Sequence, residues 1–370
     1  MACPTPDQVE LCVFGPGYGE CAVVHLGAGN WIVIDSCIDS ESGRPASLNY
    51  FSRIGVNSGS VRLVMATHWH DDHIRGMAEQ VKTFANARFC TSSALTKEEF
   101  LATIVAYEKR HGIVAGSGAS EICEVLETLR SRAGATSPMR AGPARLVFTL
   151  PATASCHGQE CRITTLSPSD KQFDKFMLQL GKLVPIERSA KKRVADQEEN
   201  DLSVVTLISI GDQGILLGAD LEETGDVELG WSAIVRMPER PSQIAGAFKI
   251  PHHGSVNGHC EEVWTQMLIA NPVAILTPWS KNRGLPTGSD VERIVSLSEA
   301  AFSTSTGTRR IDRPRPYAVQ KQIRETVGRL RATEGRTGFV RLRNGGARNP
   351  KTWCVELSPE ACHLKDYRTA

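Results

Sequence analysis

Ala66-Thr67-His68-Trp69-His70-Asp71-Asp72-His73 is the stretch of this chain whose pattern has the fewest explanations. It follows an apolar run, residues 61–66, with the look of a buried strand, and it precedes residues 74–84, which read as a helix. Side chains alternate along an extended segment, so His68 and His70 project to the same side. Asp72 and His73 come next, where the chain turns into the helix. Four nitrogen and oxygen donors so close together can serve two adjacent divalent ions, and imidazole with carboxylate suits Zn, Mn or Fe. A lone His-x-His would be weak; His-x-His-x-Asp-His at a strand-to-helix turn is specific.

Before this stretch the chain reads as β-structure broken by turns. Residues 9–14, 21–26 and 31–34 are strands, separated by turns at 15–20 and 27–30, and the third strand ends at Asp35. The glycines of the first turn do not fit G-x-G-x-x-G, and a strand follows them, so they mark a hairpin rather than a dinucleotide loop. Residues 45–54 read as a helix. Residues 92–142 change character: helical patterns at 96–110 and 121–132 alternate with Gly/Ser/Ala/Pro-rich joints, as expected for a helical insertion. Strands return at 144–150 and 162–166, followed by a helix at 171–182. A hairpin at 203–217 ends in Gly218-Ala219-Asp220, and a strand at 245–250 ends in Pro251-His252-His253-Gly254-Ser255. A strand at 273–277, a helix at 290–301, a basic helix at 318–331 and strands at 339–343 and 352–356 complete the reading. No internal repeat is visible.

Composition narrows the class. The chain has 370 residues, 41% hydrophobic and 22% charged, enough for one large or two small domains with a substantial core. With 42 Lys+Arg against 41 Asp+Glu, the formal net charge is +1, which excludes an acidic-tailed protein and a uniformly basic nucleic-acid binder. The charge is uneven: residues 281–350 hold 15 Lys+Arg and 6 Asp+Glu, a local balance of +9. The longest apolar stretch, 204–210, is too short to cross a bilayer, and the first residues show no basic patch followed by an apolar run. The expectation is a cytoplasmic chain with no membrane contact. Eleven cysteines, an odd number without a C-x-x-C pair, argue for small buried hydrophobes rather than a disulfide scaffold. Cys156 and Cys161 around His157 lack the second pair that a metal knuckle needs.

At the histidine stretch the sequence resembles the metallo-β-lactamase fold superfamily, over most of its first 290 residues. Within it, the chain is similar to the soluble hydrolase domain of ComEC-type DNA-uptake (competence) proteins. Phe14-Gly15-Pro16-Gly17-Tyr18-Gly19-Glu20 looks like the hairpin that opens that domain, and Trp31-Ile32-Val33-Ile34-Asp35 like the strand ending in its first Asp. Asn200-Asp201-Leu202-Ser203-Val204, followed by Leu216-Leu217-Gly218-Ala219-Asp220, is similar to the hairpin that carries its bridging Asp. Lys249-Ile250-Pro251-His252-His253-Gly254-Ser255 looks like its terminal His-His-Gly-Ser motif. The resemblance implies an α/β fold, the four-layer αββα sandwich. Residues 1–300 would form the hydrolase domain, with the helical insertion at about 92–142, and 301–370 a basic C-terminal extension packing on it.

The resemblance also implies a ligand set. His68 and His70 would hold the first metal, Asp72 and His73 the second, and Asp220 would bridge them. One of His252 and His253 would complete the second site, and the other would orient substrate or shuttle a proton. Asp72, His253 and Asp35 are the expected catalytic set; Asp35 is either an acceptor that holds a ligand imidazole or a plain turn carboxylate. There are two departures. No third His for the first metal stands in a matching context, His111 lying in the helical insertion and His157 in a loop. Leu285 stands where the branch carries a His before Pro286.

The chemistry expected is hydrolysis by two divalent ions, Zn foremost with Mn or Fe as alternatives, using a bridging hydroxide and Lewis acidity. Phosphodiesters, in nucleic acid or nucleotides, are the favoured substrate, because Asp220 stands where one large class of lactam-cleaving relatives has Cys. Arg283, Arg309 and Arg310 are candidate phosphate contacts. Hydrolysis of a thioester, ester or lactam is the rival expectation. A metal-stabilised binding subunit, with a protein partner in a defence or DNA-processing system, is the non-enzyme alternative, and the intact ligand set argues against it.

Overall fold

Strands that are apolar on both faces build the middle of the molecule. The structure, a computed structural model, describes residues 1–15, 19–96, 118–132, 137–183, 199–279, 284–307, 316–326, 336–345 and 352–369. In chain order, β1 (Gln8–Gly15), β2 (Cys21–His25), β3 (Trp31–Ile34), β4 (Val61–Ala66), β5 (Arg88–Ser92) and β6 (Met139–Ala141) share one sheet. β7 (Arg145–Leu150), β8 (Cys161–Thr165), β9 (Thr206–Ile210), β10 (Gln213–Leu217), β11 (Ala245–Lys249), β12 (Leu268–Leu276) and β13 (Ala301–Ser303) share a second. β14 (Gly338–Gly345) and β15 (Cys354–Leu357) return to the first sheet, and β16 (Cys362–His363) closes the second. Among the described residues the orders are β15-β14-β1-β2-β3-β4-β5-β6 and β16-β13-β12-β11-β10-β9-β8-β7.

Period-two alternation decides the layers. Along β1, Val9, Leu11 and Val13 enter the core between the sheets, where Ile163, Ile208, Ile215 and Ile275 meet them from the other side. Cys12 and Phe14 point outward under the helix Ala46–Ile54 and its neighbours, joined by Ile122 and Val125 of the helix Gly118–Ser131. On the far face of the second sheet Leu216, Phe248 and Leu276 are covered by the helices Gly230–Arg236, Glu261–Gln266 and Gly288–Leu297. This is the αββα sandwich, a mixed α/β fold. Each fully buried Leu, Ile or Val contributes about 1.5–3 kcal/mol.

Both sheets change direction half-way across. β3, β4, β5 and β6 run parallel, as do β10, β11, β12 and β13, while the hairpins around β1–β2 and β7–β9 are antiparallel. The carboxyl ends of β3, β4, β10, β11 and β12 therefore face one pole. In open parallel sheets that is where ligands bind.

Four local features depart from the sequence reading. β5 and β6 are strands that the reading missed, and β6 lies inside the segment read as a helical insertion. The helix expected at 74–84 is two, Asp71–Ile74 and Met77–Thr83, broken at Gly76. Gly76 has a φ of 84°, and a Cβ there would come within 2.8 Å of Ile38 and Pro45, so neither the backbone nor the space admits a continuous helix. The helix expected at 290–301 stops at Leu297 and gives way to β13. Residues 301–370 supply β13 to β16 and so complete both sheets, with β14 pairing along the whole of β1. Two of their basic residues are consumed internally: Arg343 Nε donates to Glu10 Oε2 at 2.6 Å, and Arg341 pairs with Glu356 and with the Tyr50 hydroxyl at 3.2 Å. Among the described residues no helix is long and apolar enough to cross a membrane.

Candidate metal centre

Five strand ends deliver the polar side chains of one pole. β3 delivers Asp35, β4 the His68–His73 segment, β10 Asp220, β11 the doublet His252-His253, and β12 Thr277. Three of these turns need a left-handed backbone, at four residues other than glycine: φ is 59° at Asp35, 46° at Ala219, 45° at His252 and 52° at His253. Such conformations cost about 1–2 kcal/mol each and persist where their surroundings over-determine them.

Asp35 organises the histidine stretch. Its Oδ1 accepts from the Thr67 amide and its Oδ2 from the Thr67 hydroxyl, both at 2.8 Å, and Oδ2 also lies 2.8 Å from His73 Nδ1. A carboxylate on Nδ1 fixes the proton there and leaves Nε2 as the free donor atom. His253 is held in the same way, by the Thr277 carbonyl at 2.9 Å from Nδ1. The two freed Nε2 atoms aim at the same carboxylates. His73 Nε2 is 3.5 Å from Asp72 Oδ2 and 3.3 Å from Asp220 Oδ1; His253 Nε2 is 3.3 Å from Asp72 Oδ2 and 3.2 Å from Asp220 Oδ2.

This set passes a test for a cation. The donor atoms of Asp72, His73, Asp220 and His253 all lie within 4.8 Å of one another and are buried. Ligands about 2.1 Å from a common ion at tetrahedral angles stand about 3.4 Å apart, which is the spacing seen. His73 Nε2 and Asp220 Oδ1 are buried with no hydrogen-bond partner, an arrangement that is costly unless a cation sits between such atoms. The electrostatics agree. Burial pulls His253 down, but Asp220 and Asp72 outweigh it and push it up to about 10, and burial of His73 is outweighed likewise by Asp220, Asp72 and Asp35. Burial would raise Asp220, yet His253 and His73 hold it well below the usual carboxylate range.

The first pair is thinner. His68 Nε2 lies 3.1 Å from His70 Nδ1, and the His68 ring is 4.2 Å from that of His73, so the pair abuts the four-donor set. Thr67 gives its proton to Asp35, so His68 Nδ1–H donates to the Thr67 oxygen at 3.0 Å and its unprotonated Nε2 accepts from His70 Nδ1. Burial, then the neighbouring His73 and His70, hold His68 well below its ordinary value. No third imidazole joins the pair among the described residues. His111 lies outside them, and the turn Cys156–Gly158, which carries His157, binds the end of β2 through Cys156 N–H to Leu26 O at 3.1 Å, at the opposite pole.

The doublet is split. His253 joins the four donors, whereas His252 turns away: its Nδ1 is 3.2 Å from Glu222 Oε1, and the Asn200 amide is 3.3 Å from its Nε2 and 2.8 Å from Glu222. Trp279 lays its ring 5.3 Å from that of His253, forming a wall beside it. Arg283, Arg309 and Arg310 lie outside the described residues. Sequence reasoning missed Thr67, Glu222, Thr277, Lys249 and the role of Glu20. Lys249 had a signal: a lysine inside an otherwise apolar strand is rarely buried unless paired, and here it is buried.

A family model for the metallo-beta-lactamase superfamily matches residues 14–126, which include Asp35 and the whole histidine stretch. The fold is the metallo-β-lactamase fold. Among solved structures the chain is similar to a metallo-beta-lactamase from Cronobacter sakazakii, a mutant of its HARLDQ motif, at 12% identity over 65% of this chain and 66% of that one, with a TM-score of 0.31. It is similar to the metallo-beta-lactamase fold protein YhfI from Bacillus subtilis at 12% identity, over 66% of this chain and 70% of that one, with a TM-score of 0.32. The chain spans slightly less than two thirds of the length of the Cronobacter protein. Likeness at this level adds nothing about activity. No curated protein matches the chain.

Proposed function

We propose that this chain is a metal-dependent hydrolase of phosphodiesters in nucleic acid or nucleotides, similar to the soluble hydrolase domain of ComEC-type proteins. The observation that carries the reading is the buried four-donor set, in which Asp220 offers one carboxylate oxygen to His73 and the other to His253. Bound divalent ions, Zn foremost, would supply an activated water and neutralise charge developing on a phosphoryl oxygen. The chain does the rest. Asp72, His73, Asp220 and His253 would hold one ion, with His68 and His70 reaching a second beside it. Asp35 and the Thr277 carbonyl keep both ligand imidazoles in one tautomer. His252, its Nδ1 3.2 Å from Glu222 and its Nε2 3.3 Å from the Asn200 amide, would orient substrate rather than ligate. A hard carboxylate shared by both imidazoles, rather than a thiolate, supports the phosphoryl reading.

The test is metal analysis of the purified chain, followed by a screen of Zn, Mn and Mg with bis-p-nitrophenyl phosphate, DNA, RNA and cyclic nucleotides. Metal-dependent phosphodiester hydrolysis is expected. Turnover of a β-lactam or thioester alone overturns the substrate while leaving the fold intact. A nucleic-acid substrate also predicts binding that weakens steeply with salt, through counterion release.

A further inference from the structure

Behind the four donors lies a second polar group that the proposed reaction does not use. Glu20 and Lys249 are both buried and paired with each other, Glu20 Oε2 on Lys249 Nζ. The same Glu20 oxygen accepts from the Thr277 hydroxyl at 2.5 Å. Stability gives no reason for these charges: replacing a buried ion pair with apolar residues of similar volume is often neutral or stabilising.

Every other bond of the group ends on a segment that presents a ligand. The Glu20 amide donates to the Asp72 carbonyl at 2.8 Å. Lys249 Nζ donates to the Ala219 carbonyl at 3.1 Å, and its Nζ is 3.9 Å from Asp220 Oδ1. Ala219 is one of the left-handed residues, so its carbonyl is aimed by a backbone conformation that needs outside support. Thr277, whose hydroxyl serves Glu20, uses its carbonyl to hold His253 Nδ1. One glutamate, through its amide and its carboxylate, thus joins the segments carrying Asp72, Asp220 and His253, which come from both sheets.

The pair also removes a competitor. The donor atoms of Glu20, Asp35 and His73 lie within 4.8 Å of one another, so a free Glu20 carboxylate could divert an ion from the centre. Lys249 and Thr277 occupy it.

We propose that Glu20, Lys249 and Thr277 are positioning residues that set the affinity and geometry of the metal centre by locking its three ligand-bearing turns together. The proposal rests on the metal-dependent reading above. Its test uses the full chain: metal affinity by competition with a chromogenic chelator, the visible absorption of the Co2+-loaded protein, and the metal-free Tm. Glu20→Gln/Lys249→Met removes both charges and leaves no unpaired ion. This double variant is expected to keep its metal-free Tm within a few degrees while losing about 10- to 100-fold in metal affinity, with altered Co2+ bands. Wild-type affinity and bands in that variant overturn the assignment, as does a loss of Tm with affinity unchanged. Should the double variant not fold, Thr277→Val decides. It deletes one hydroxyl from the group, and a smaller loss of affinity with shifted bands is expected, an unchanged centre being the contrary result. A wild-type chain that binds no metal defeats the hydrolase reading; tight wild-type binding with an indifferent double variant defeats this one alone.

Discussion

The two poles of the sandwich bury imidazoles in opposite ways. At the far pole His25, 1% exposed, has its Nδ1 on the Gln8 carbonyl at 2.9 Å while its Nε2 accepts from the Gly29 amide at 3.0 Å. Both nitrogens are spent on backbone, and burial, with Arg343 adding to it, pulls the ring down to about 4. At the near pole His73 and His253 are as deeply buried, and each also spends one nitrogen on an anchor. Their second nitrogens face two carboxylates, and both rings are pushed up instead. A structural histidine satisfies both nitrogens. His73 and His253 satisfy one nitrogen and turn the other to carboxylates, the arrangement that the proposed metal reading requires.

The sharpest way to break this contrast is Asp220→Ala. It should remove the carboxylate common to both ligand imidazoles and lower kcat/KM by well over about 100-fold, more than the loss typical of residues that merely support a ligand. Retained turnover in a variant shown to be folded by circular dichroism would sink the centre as drawn. Next is His70→Ala. The near pole is itself uneven, four donors beside two, so bound metal should fall from two ions per chain towards one, with activity falling alongside, as read by elemental analysis of the purified protein. Asp35→Asn keeps the size but weakens the hold on His73 Nδ1, and should cost about 10- to 100-fold in metal affinity, measured by chelator competition.

The smallest effect belongs to the far pole. The folded-state value of His25 lies below its ordinary one, so its contribution to stability is complete above about pH 6.5 and is lost as pH falls towards 4. The loss reaches at most about 3 kcal/mol. Denaturant melts between pH 7 and 4 should be flatter for His25→Gln than for the wild type, while metal affinity at pH 7 stays the same. A change in that affinity would blur the contrast between the poles.

The near pole was legible in the sequence because its donors arrive in two short bursts, His68–His73 and His252-His253, each directly after an apolar strand. Asp35 and Asp220 stand at strand ends, but it was the resemblance to the family's strand and hairpin that marked them. Which histidine of the doublet faces the carboxylates was not, because two successive left-handed residues turn the chain, and nothing in a His-His pair announces that. Glu20 and Thr277 were illegible for a different reason: they act on Asp72 and His253 partly through backbone groups, which every residue possesses. β5 escaped notice because Arg88-Phe89-Cys90-Thr91-Ser92 is too short and mixed to show a period, and its parallel pairing with β4 and β6 makes it a strand. Residues 281–350 carry a local balance of +9. Arg341 and Arg343 are paired within the fold, with Glu356 and Glu10, which charge counting cannot distinguish from free surface charge.

The pairing of β1 with β14 carries a consequence for biosynthesis. Leu11 has no neighbour on that side until Leu342 arrives, so a nascent chain must carry β1 with one edge bare until residues 338–345 have been made. Contacts this distant in order close slowly and leave half-made sheets prone to pairing with one another. Fragments ending short of β14 should therefore clump rather than fold into a smaller sandwich.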